Sequence, residues 1–235
     1  TFKKINAMSL NDLYKSSPFG MVSSFFYGTI QSALFTLLAV YATSMNFTIL
    51  EVSIVTFLLA VSGAVAQFPV GKISDVYDRR KVIIASTFGA AIFALITIFV
   101  SGQMYLPDGL ATSKKWFYIF FILFSFCSLP MFSLILAHTN DYITKDKFVA
   151  AGAGLQFTFG LGAMSGPFLC SIFMDLVGSN GFFVFLFFFH SLIGAFGIYR
   201  MKIRDTVENP DSQFVAMPQT ITPAGIELNP TTEPI

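Results

Sequence analysis

Six apolar blocks, each of about 20 residues, constrain the fold of this chain more than any other feature. They cover residues 21–43, 50–70, 82–101, 116–137, 149–174 and 181–200. About 20 residues of α-helix cross a bilayer core, and a helix satisfies its backbone polar groups internally. The composition, 54% hydrophobic and 11% charged, agrees with this interpretation, because a soluble domain carries about 25% charged residues. The sequence therefore predicts an all-α integral membrane protein, with a six-transmembrane-helix bundle over residues 20–204.

Basic residues are distributed unevenly between the ends of these blocks. If the N-terminus is cytoplasmic, 12 of the 14 Lys and Arg residues fall on the cytoplasmic side, and Lys114 and Lys115 fall on the other. Since cytoplasmic loops are enriched in Lys and Arg, we expect both termini in the cytoplasm. Residues 1–19 are then a cytoplasmic linker and the proline-rich residues 205–235 a disordered cytoplasmic tail. The net charge of +1 predicts no nucleic-acid partner. A start at Thr1 instead of methionine is typical of a piece of a longer chain.

The connection between the second and third blocks is the most charged segment within the apolar region. Residues 71–81 read GKISDVYDRRK. This segment resembles the signature loop of the major facilitator superfamily of secondary transporters, Gly-x-x-x-Asp-(Arg/Lys)-x-Gly-(Arg/Lys)-(Arg/Lys). Four positions match the pattern: Gly71, Asp75, Arg79 and Arg80. Two depart from it, since Val76 replaces a basic residue and Asp78 replaces a glycine.

Other stretches are similar to the C-terminal half of one bacterial branch, the YcaD-like permeases. They are residues 10–14, 68–71, 136–141, 160–167, 174–175 and 214–230. The resemblance implies that the six blocks are helices seven to twelve of a twelve-helix transporter in the bacterial inner (plasma) membrane. Its partners would be the lipid bilayer, a small-molecule substrate and the N-terminal six-helix half of the same transporter. No cofactor is implied.

The resemblance also implies a gating role for the charged loop. In the superfamily this loop closes the cytoplasmic side of the bundle in the outward-facing state. Asp141, at the cytoplasmic end of the fourth block, would pair with Arg79 or Arg80 by pseudo-symmetry. The gating set is therefore Gly71, Asp75, Arg79, Arg80 and Asp141. The alternatives are that the loop charges only anchor the chain among lipid headgroups, and that Asp141 is a solvated loop carboxylate.

The fifth block is rich in glycine. Gly162 and Gly166 have the four-residue spacing that allows another helix to approach closely, and Pro167 permits a bend because it lacks a backbone N–H. The resemblance implies a packing or hinge role against the second block, which offers Ser62, Gly63, Ala64 and Ala66. Close packing without a hinge is the alternative.

Polar residues inside the blocks are the candidates for a substrate cavity. Ser24, Gly28, Gln31 and Phe35 share one face of the first block. An unpaired amide at mid-membrane is costly, so Gln31 should face a cavity or a polar partner. In the superfamily the first and fourth helices of each half line the central cavity, helped by the second and fifth, so the resemblance implies the cavity candidates Tyr27, Gln31, Ser128 and Gln156. Hydrogen bonding between helices is the alternative for each of them, and it is the favoured interpretation of His190, the one histidine deep within a block.

Two functions remain open from the sequence. The first is secondary active transport of a small solute by alternating access, with this chain as the C-terminal half of the transporter. The second is a free-standing six-helix scaffold or regulatory partner without transport activity. We predict no enzyme and no metal site, since the sequence has no Cys/His metal spacing and no pattern of nucleophile and base.

Overall fold

The computed structural model describes residues 8–102, 110–204, 214 and 216. The regular structure in these residues is entirely helical. A short helix, α1 (Leu10–Ser16), precedes the long helices α2 (Pro18–Ser44), α3 (Ile49–Val76) and α4 (Arg79–Gly102). These are followed by α5 (Leu110–Ser128), α6 (Met131–Asn140), one 3₁₀ turn (Lys145–Lys147), α7 (Phe148–Val177) and α8 (Gly181–Ile203).

Six segments are long and apolar enough to cross a bilayer. They are α2, α3, α4, the α5–α6 pair over Lys114–Asn140, α7 with its preceding turn, and α8. A helix of 27 residues, the length of α2, extends about 40 Å, which exceeds the hydrocarbon thickness of roughly 30 Å. The prediction of an all-α membrane bundle is confirmed.

The fourth apolar block consists of two helices instead of one continuous helix. The chain leaves the helical path at Leu129 and Pro130, between α5 and α6. Pro130 has no backbone N–H to continue the hydrogen-bond ladder. The Tyr27 hydroxyl of α2 donates to the Leu129 carbonyl at 3.2 Å. The break is therefore held from inside the bundle by a buried tyrosine.

The two ends of the bundle have different chemistry. We call the end formed by the α3–α4 connection, the α6–α7 connection and the C-terminus of α8 the basic end. At the opposite end Thr48 and Glu51 cap α3 reciprocally, and Lys114 donates to Glu51 at 2.8 Å. The tail predicted to be disordered, 205–235, lies outside the described residues except for Phe214 and Ala216.

Aromatic packing forms the core near that opposite end. Tyr41 of α2 is fully buried. Its ring stacks on Phe182, with centroids 5.1 Å apart, and meets Phe183 edge-on at 5.0 Å. Phe117 of α5 also stacks with Tyr41. Aromatic pairs of this kind contribute beyond the area they bury, and here they join α2, α5 and α8.

Helices α3 and α7 have the least covered faces of the bundle. Inside the molecule, 28% of the apolar window of α3 and 22% of that of α7 are buried, compared with 56% for α2. The exposed apolar side chains of α3 follow one another at helical spacing: Leu50, Ile54, Phe57, Val61, Val65 and Phe68. One continuous apolar face of each helix is therefore without a partner among the described residues.

Candidate functional site

An ion network at the basic end contains three of the five predicted gating residues. Arg79, at the start of α4, has a side chain that is 3% exposed. Its Nη2 donates to Asp75 at 3.0 Å, and its Nη1 donates to Asp141 and, at 3.3 Å, to the Ala137 carbonyl. The network connects the end of α3, the start of α4 and the end of α6. Of the two partners expected for Asp141, the structure pairs it with Arg79.

Arg80, the fourth gating residue, pairs with Asp78, the residue that stands where the signature pattern has a glycine. Its Nε and Nη2 bind the two carboxylate oxygens of Asp78 at 3.1 and 2.8 Å. Its Nη1 donates to the Arg204 carbonyl at the end of α8, at 2.6 Å. In the sequence, Asp78 is visible only as a departure from the pattern. The signal for its role is its position two residues before an arginine, where a short side chain reaches the guanidinium.

Gly71, the fifth gating residue, lies against the C-terminal segment of the chain. A Cβ atom at this position would be 2.4 Å from Cδ1 of the Phe214 ring. The backbone N–H of Phe214 donates to Asp75 at 2.8 Å. Asp75 therefore accepts from both Arg79 and Phe214. This contact joins residues 139 positions apart, and the local sequence carries no signal for it.

A groove opens between α2, α3 and the break that separates α5 from α6. Its volume is about 620 Å³. Apolar and small residues form most of it, and Gln67, Lys72 and Asp75 add polar groups along α3. The lining residues are Phe35, Ala60, Gly63, Ala64, Gln67, Phe68, Gly71, Lys72, Asp75, Leu129, Phe214 and Ala216. The ion network and Phe214 lie at the end of the groove nearest the basic end.

The four predicted cavity residues do not line this groove. Tyr27 is fully buried and supports the helix break through Leu129. Ser128 is fully buried, and its Oγ lies 3.1 Å from Nε2 of His190 on α8. The favoured interpretation of His190 agrees with this contact. Gln156 lies on α7, partly buried.

Gln31 is a buried amide without a described donor to its oxygen, which is the feature that made it a candidate for the cavity. It is 4% exposed, and no described group donates to its Oε1. Gln67, which is not among the predicted residues, has the same property at Oε1 and lines the groove. An amide inside an apolar block is the signal available for both residues. A buried amide whose polar atoms lack partners is costly unless a ligand, water or another helix supplies them.

The glycines of α7 pack against α2. The resemblance implied packing against the second block, which is α3. A Cβ at Gly162 would be 1.9 Å from the Phe25 carbonyl oxygen, and one at Gly166 would be 2.2 Å from the Thr29 carbonyl oxygen. Thr29 donates its hydroxyl to the Gly162 carbonyl at 3.2 Å. Gly63 of α3 instead contacts Leu129. Pro167 lies in the same stretch, inside α7.

The family model of the Major Facilitator Superfamily matches residues 20–226. The chain belongs to this superfamily. The match extends over the six membrane-spanning segments and the charged α3–α4 connection described above. Superfamily membership agrees with an integral membrane protein that takes part in transport.

Several curated proteins are similar to this superfamily chain. An uncharacterized MFS-type transporter of Bacillus subtilis, YfkF, is 26% identical over 186 residues, covering 76% of this chain and 44% of that protein. One from Yersinia enterocolitica is 24% identical over 199 residues, 85% of this chain and 46% of the relative. One from Methanocaldococcus jannaschii is 27% identical over 180 residues, covering 76% of this chain and 43% of that protein. The chain thus spans less than half the length of these relatives. No solved structure matches it.

Proposed function

We propose that this chain is the C-terminal six-helix half of a secondary active transporter, which moves a small solute by alternating access. The observation that carries the proposal is the groove along α3, where Gln67 lies among apolar and small lining residues. Lipid offers an amide such as Gln67 no hydrogen-bond partner, so its burial against hydrocarbon would be costly. A solute path between two halves would supply one, because substrate sites of secondary transporters lie where the halves meet.

The N-terminal half is the partner that we propose for the uncovered faces of α3 and α7. Relatives that are more than twice as long as the matched region support such a partner. The similarity to YcaD-like permeases supports helices seven to twelve as the position of this half. The distribution of basic residues supports a cytoplasmic basic end with both termini in the cytoplasm.

The ion network is the proposed cytoplasmic latch. Arg79 joins carboxylates from α3 and from the end of α6, so a relative movement of these helices has to break a buried ion pair. Breaking such a pair is strongly unfavourable unless new partners replace it. Gly71 permits the close approach of Phe214 at the same position. The latch therefore consists of Gly71, Asp75, Arg79 and Asp141, while Arg80 holds the neighbouring α8 end through Arg204.

The groove favours neutral or amphipathic solutes over strongly charged ones. Most of its lining is apolar, and the charged Lys72 and Asp75 lie together near the basic end. Gln67 is the group in the groove most suited to orienting a neutral solute, because it is the one uncharged polar side chain among the described lining residues and an amide can both donate and accept. Gln31 and Gln156 are kept as secondary candidates on α2 and α7. Tyr27 and Ser128 are assigned positioning roles through Leu129 and His190.

The coding sequence upstream of Thr1 tests whether this chain is one half of a transporter. We expect six further apolar blocks there, because the curated relatives are more than twice as long as the matched region. Their absence would favour the scaffold alternative.

A solute screen in vesicles that contain the transporter tests the groove as the solute path. Gln67→Leu is compared with Val65→Leu, a matched control on the exposed face of the same helix that does not line the groove. We expect Gln67→Leu to lower uptake about tenfold or more, by removing a hydrogen bond made to the solute. Equal uptake by both variants would contradict the groove as the solute path.

A further inference from the structure

A small recess at the basic end is separate from the groove and from the latch. It lies where the α1–α2 joint meets the start of α4 and the ends of α6 and α8. Its polar lining consists of Ser17, Arg80, His138, Tyr142, Arg200 and Arg204. We call it the arginine recess. Its volume is about 20 Å³, enough for one oxygen-sized group, with the remainder of any ligand outside its opening.

The arginine recess has more positive than negative charge. Arg80 is paired with Asp78. The Arg204 guanidinium donates to the Ser16 carbonyl at 2.6 Å and lies 4.1 Å from the centre of the Tyr142 ring, but it has no carboxylate partner in the described chain. Arg200 is partly buried, and it likewise forms no ion pair with a described carboxylate. A guanidinium that is held in this way favours an anion beside it.

His138 is a second, independent indication of a ligand. It is 3% exposed, and its ring is held edge-on against Phe19 at 5.2 Å and Tyr142 at 5.1 Å. No described group forms a hydrogen bond with its ring nitrogens, although the ring lines the recess. A neutral imidazole always carries one N–H donor. Because the ring lines the recess and no described group accepts from it, the acceptor for this N–H has to come from the recess, as a water or an anionic oxygen.

Tyr142 also lines the recess. Burial raises the pKa of Tyr142 above its ordinary value, so the hydroxyl stays protonated at neutral pH and can donate a hydrogen bond. The recess therefore combines two arginines without carboxylate partners in the described chain, an imidazole and a phenol. Every one of these groups is a donor to an anionic oxygen.

We propose that the arginine recess binds a phosphate group, supplied by an anionic lipid headgroup or by soluble phosphate. One phosphate oxygen would occupy the recess, and His138, Arg200 and Arg204 are the lining residues that would donate to the phosphate group. Arginine matches the geometry of phosphate oxygens and binds them in a charge-assisted manner. The recess lies at the ends of membrane-spanning segments, the depth at which lipid phosphates occur. This inference does not depend on the transport assignment.

The test uses the full chain purified in a neutral detergent, with thermal unfolding followed during titration. The probes are short-chain phosphatidylglycerol, short-chain phosphatidylcholine and inorganic phosphate. Arg200→Gln removes a recess charge, and Lys202→Gln is its matched control, because Lys202 is exposed on the same helix and does not line the recess. His138→Phe keeps the aromatic packing against Phe19 and Tyr142 but removes the N–H. Circular dichroism before heating checks that each variant is folded.

We expect phosphatidylglycerol to stabilise the native chain, with an affinity that falls about fivefold in Arg200→Gln, since a basic residue near a lipid surface contributes about that factor. His138→Phe should weaken binding severalfold, and Lys202→Gln by less than about twofold. Stabilisation by inorganic phosphate as well identifies a soluble anion as a sufficient ligand, whereas stabilisation by phosphatidylglycerol alone identifies the lipid; both outcomes support the site. No stabilisation by either anion, or equal losses in Arg200→Gln and Lys202→Gln, would overturn it and leave a bound water as the occupant.

Discussion

Arg79 is the single residue on which the basic end depends most. Its guanidinium is almost fully buried and holds Asp75, Asp141 and a backbone carbonyl. Arg79→Gln removes the cation that pairs with the Asp141 carboxylate, which is 7% exposed. We expect a loss of about 3 kcal/mol in stability, the order found when one member of a buried ion pair is removed. Thermal unfolding in detergent measures it. Lys81→Gln, a charge removed from an exposed position on the same helix, should change stability by less than about 0.5 kcal/mol.

Ser128 distinguishes a structural role from a role in the solute path. Its hydroxyl meets His190 in a fully buried environment, and Ser128 is not among the residues that line the groove. Ser128→Ala should lower stability by about 1–3 kcal/mol, because it removes the hydroxyl that meets a buried ring nitrogen. Uptake per folded molecule should remain unchanged. If uptake falls while thermal stability is preserved, Ser128 belongs to the solute path, as the sequence first indicated.

The close contact between α2 and α7 can be tested at the level of the elements. Gly162→Ala places a methyl group 1.9 Å from a backbone oxygen of α2, so the two helices have to separate. We expect a destabilisation of about 1–3 kcal/mol. Gly160→Ala is the matched control on the same helix, since a methyl group there meets no atom within 4 Å. Equal stability of both variants in a thermal unfolding assay would contradict this packing.

Hydropathy predicted the helices and glycine spacing predicted a close approach to another helix, but neither identified which helix that is. The blocks follow from the apolar residues needed to cross a bilayer, and the charged connection of α3 and α4 follows from the cost of charge in hydrocarbon. The partner of Gly162 could not be predicted, because α2 and α3 both offer small residues and α7 is apolar on nearly all sides. Three-dimensional packing decides between them.

Contacts between residues distant in the chain were the other feature that sequence analysis could not supply. The pairing of Arg79 with Asp141 was anticipated by pseudo-symmetry between two loops, as one of two alternatives. Three further contacts depend on how the helices are arranged. They are the approach of Phe214 to Gly71, the bond from Arg80 to the end of α8, and the meeting of Ser128 with His190. None of these contacts has a local pattern that would indicate it.

At the scale of the whole molecule, three surfaces lack a partner within the described chain. They are the exposed faces of α3 and α7 and the groove along α3. We propose that a second six-helix half covers them and that rocking of the halves opens the groove to each side in turn. The latch at the basic end then controls one of the two openings. A scaffold without transport activity would bury the same surfaces permanently against a partner. Its groove would not open to both sides of the membrane.

Accessibility of the groove from the two sides of the membrane tests this central claim most directly. In the full-length transporter, with every native cysteine, Cys127 and Cys170 included, replaced by alanine, Ala64→Cys places one thiol on the groove lining. A membrane-impermeant maleimide is applied to oriented vesicles from each side. We predict labelling from both sides, with Asp75→Asn raising labelling from the cytoplasmic side severalfold and lowering it from the other. Labelling from one side alone, unchanged by Asp75→Asn, would contradict alternating access through this groove.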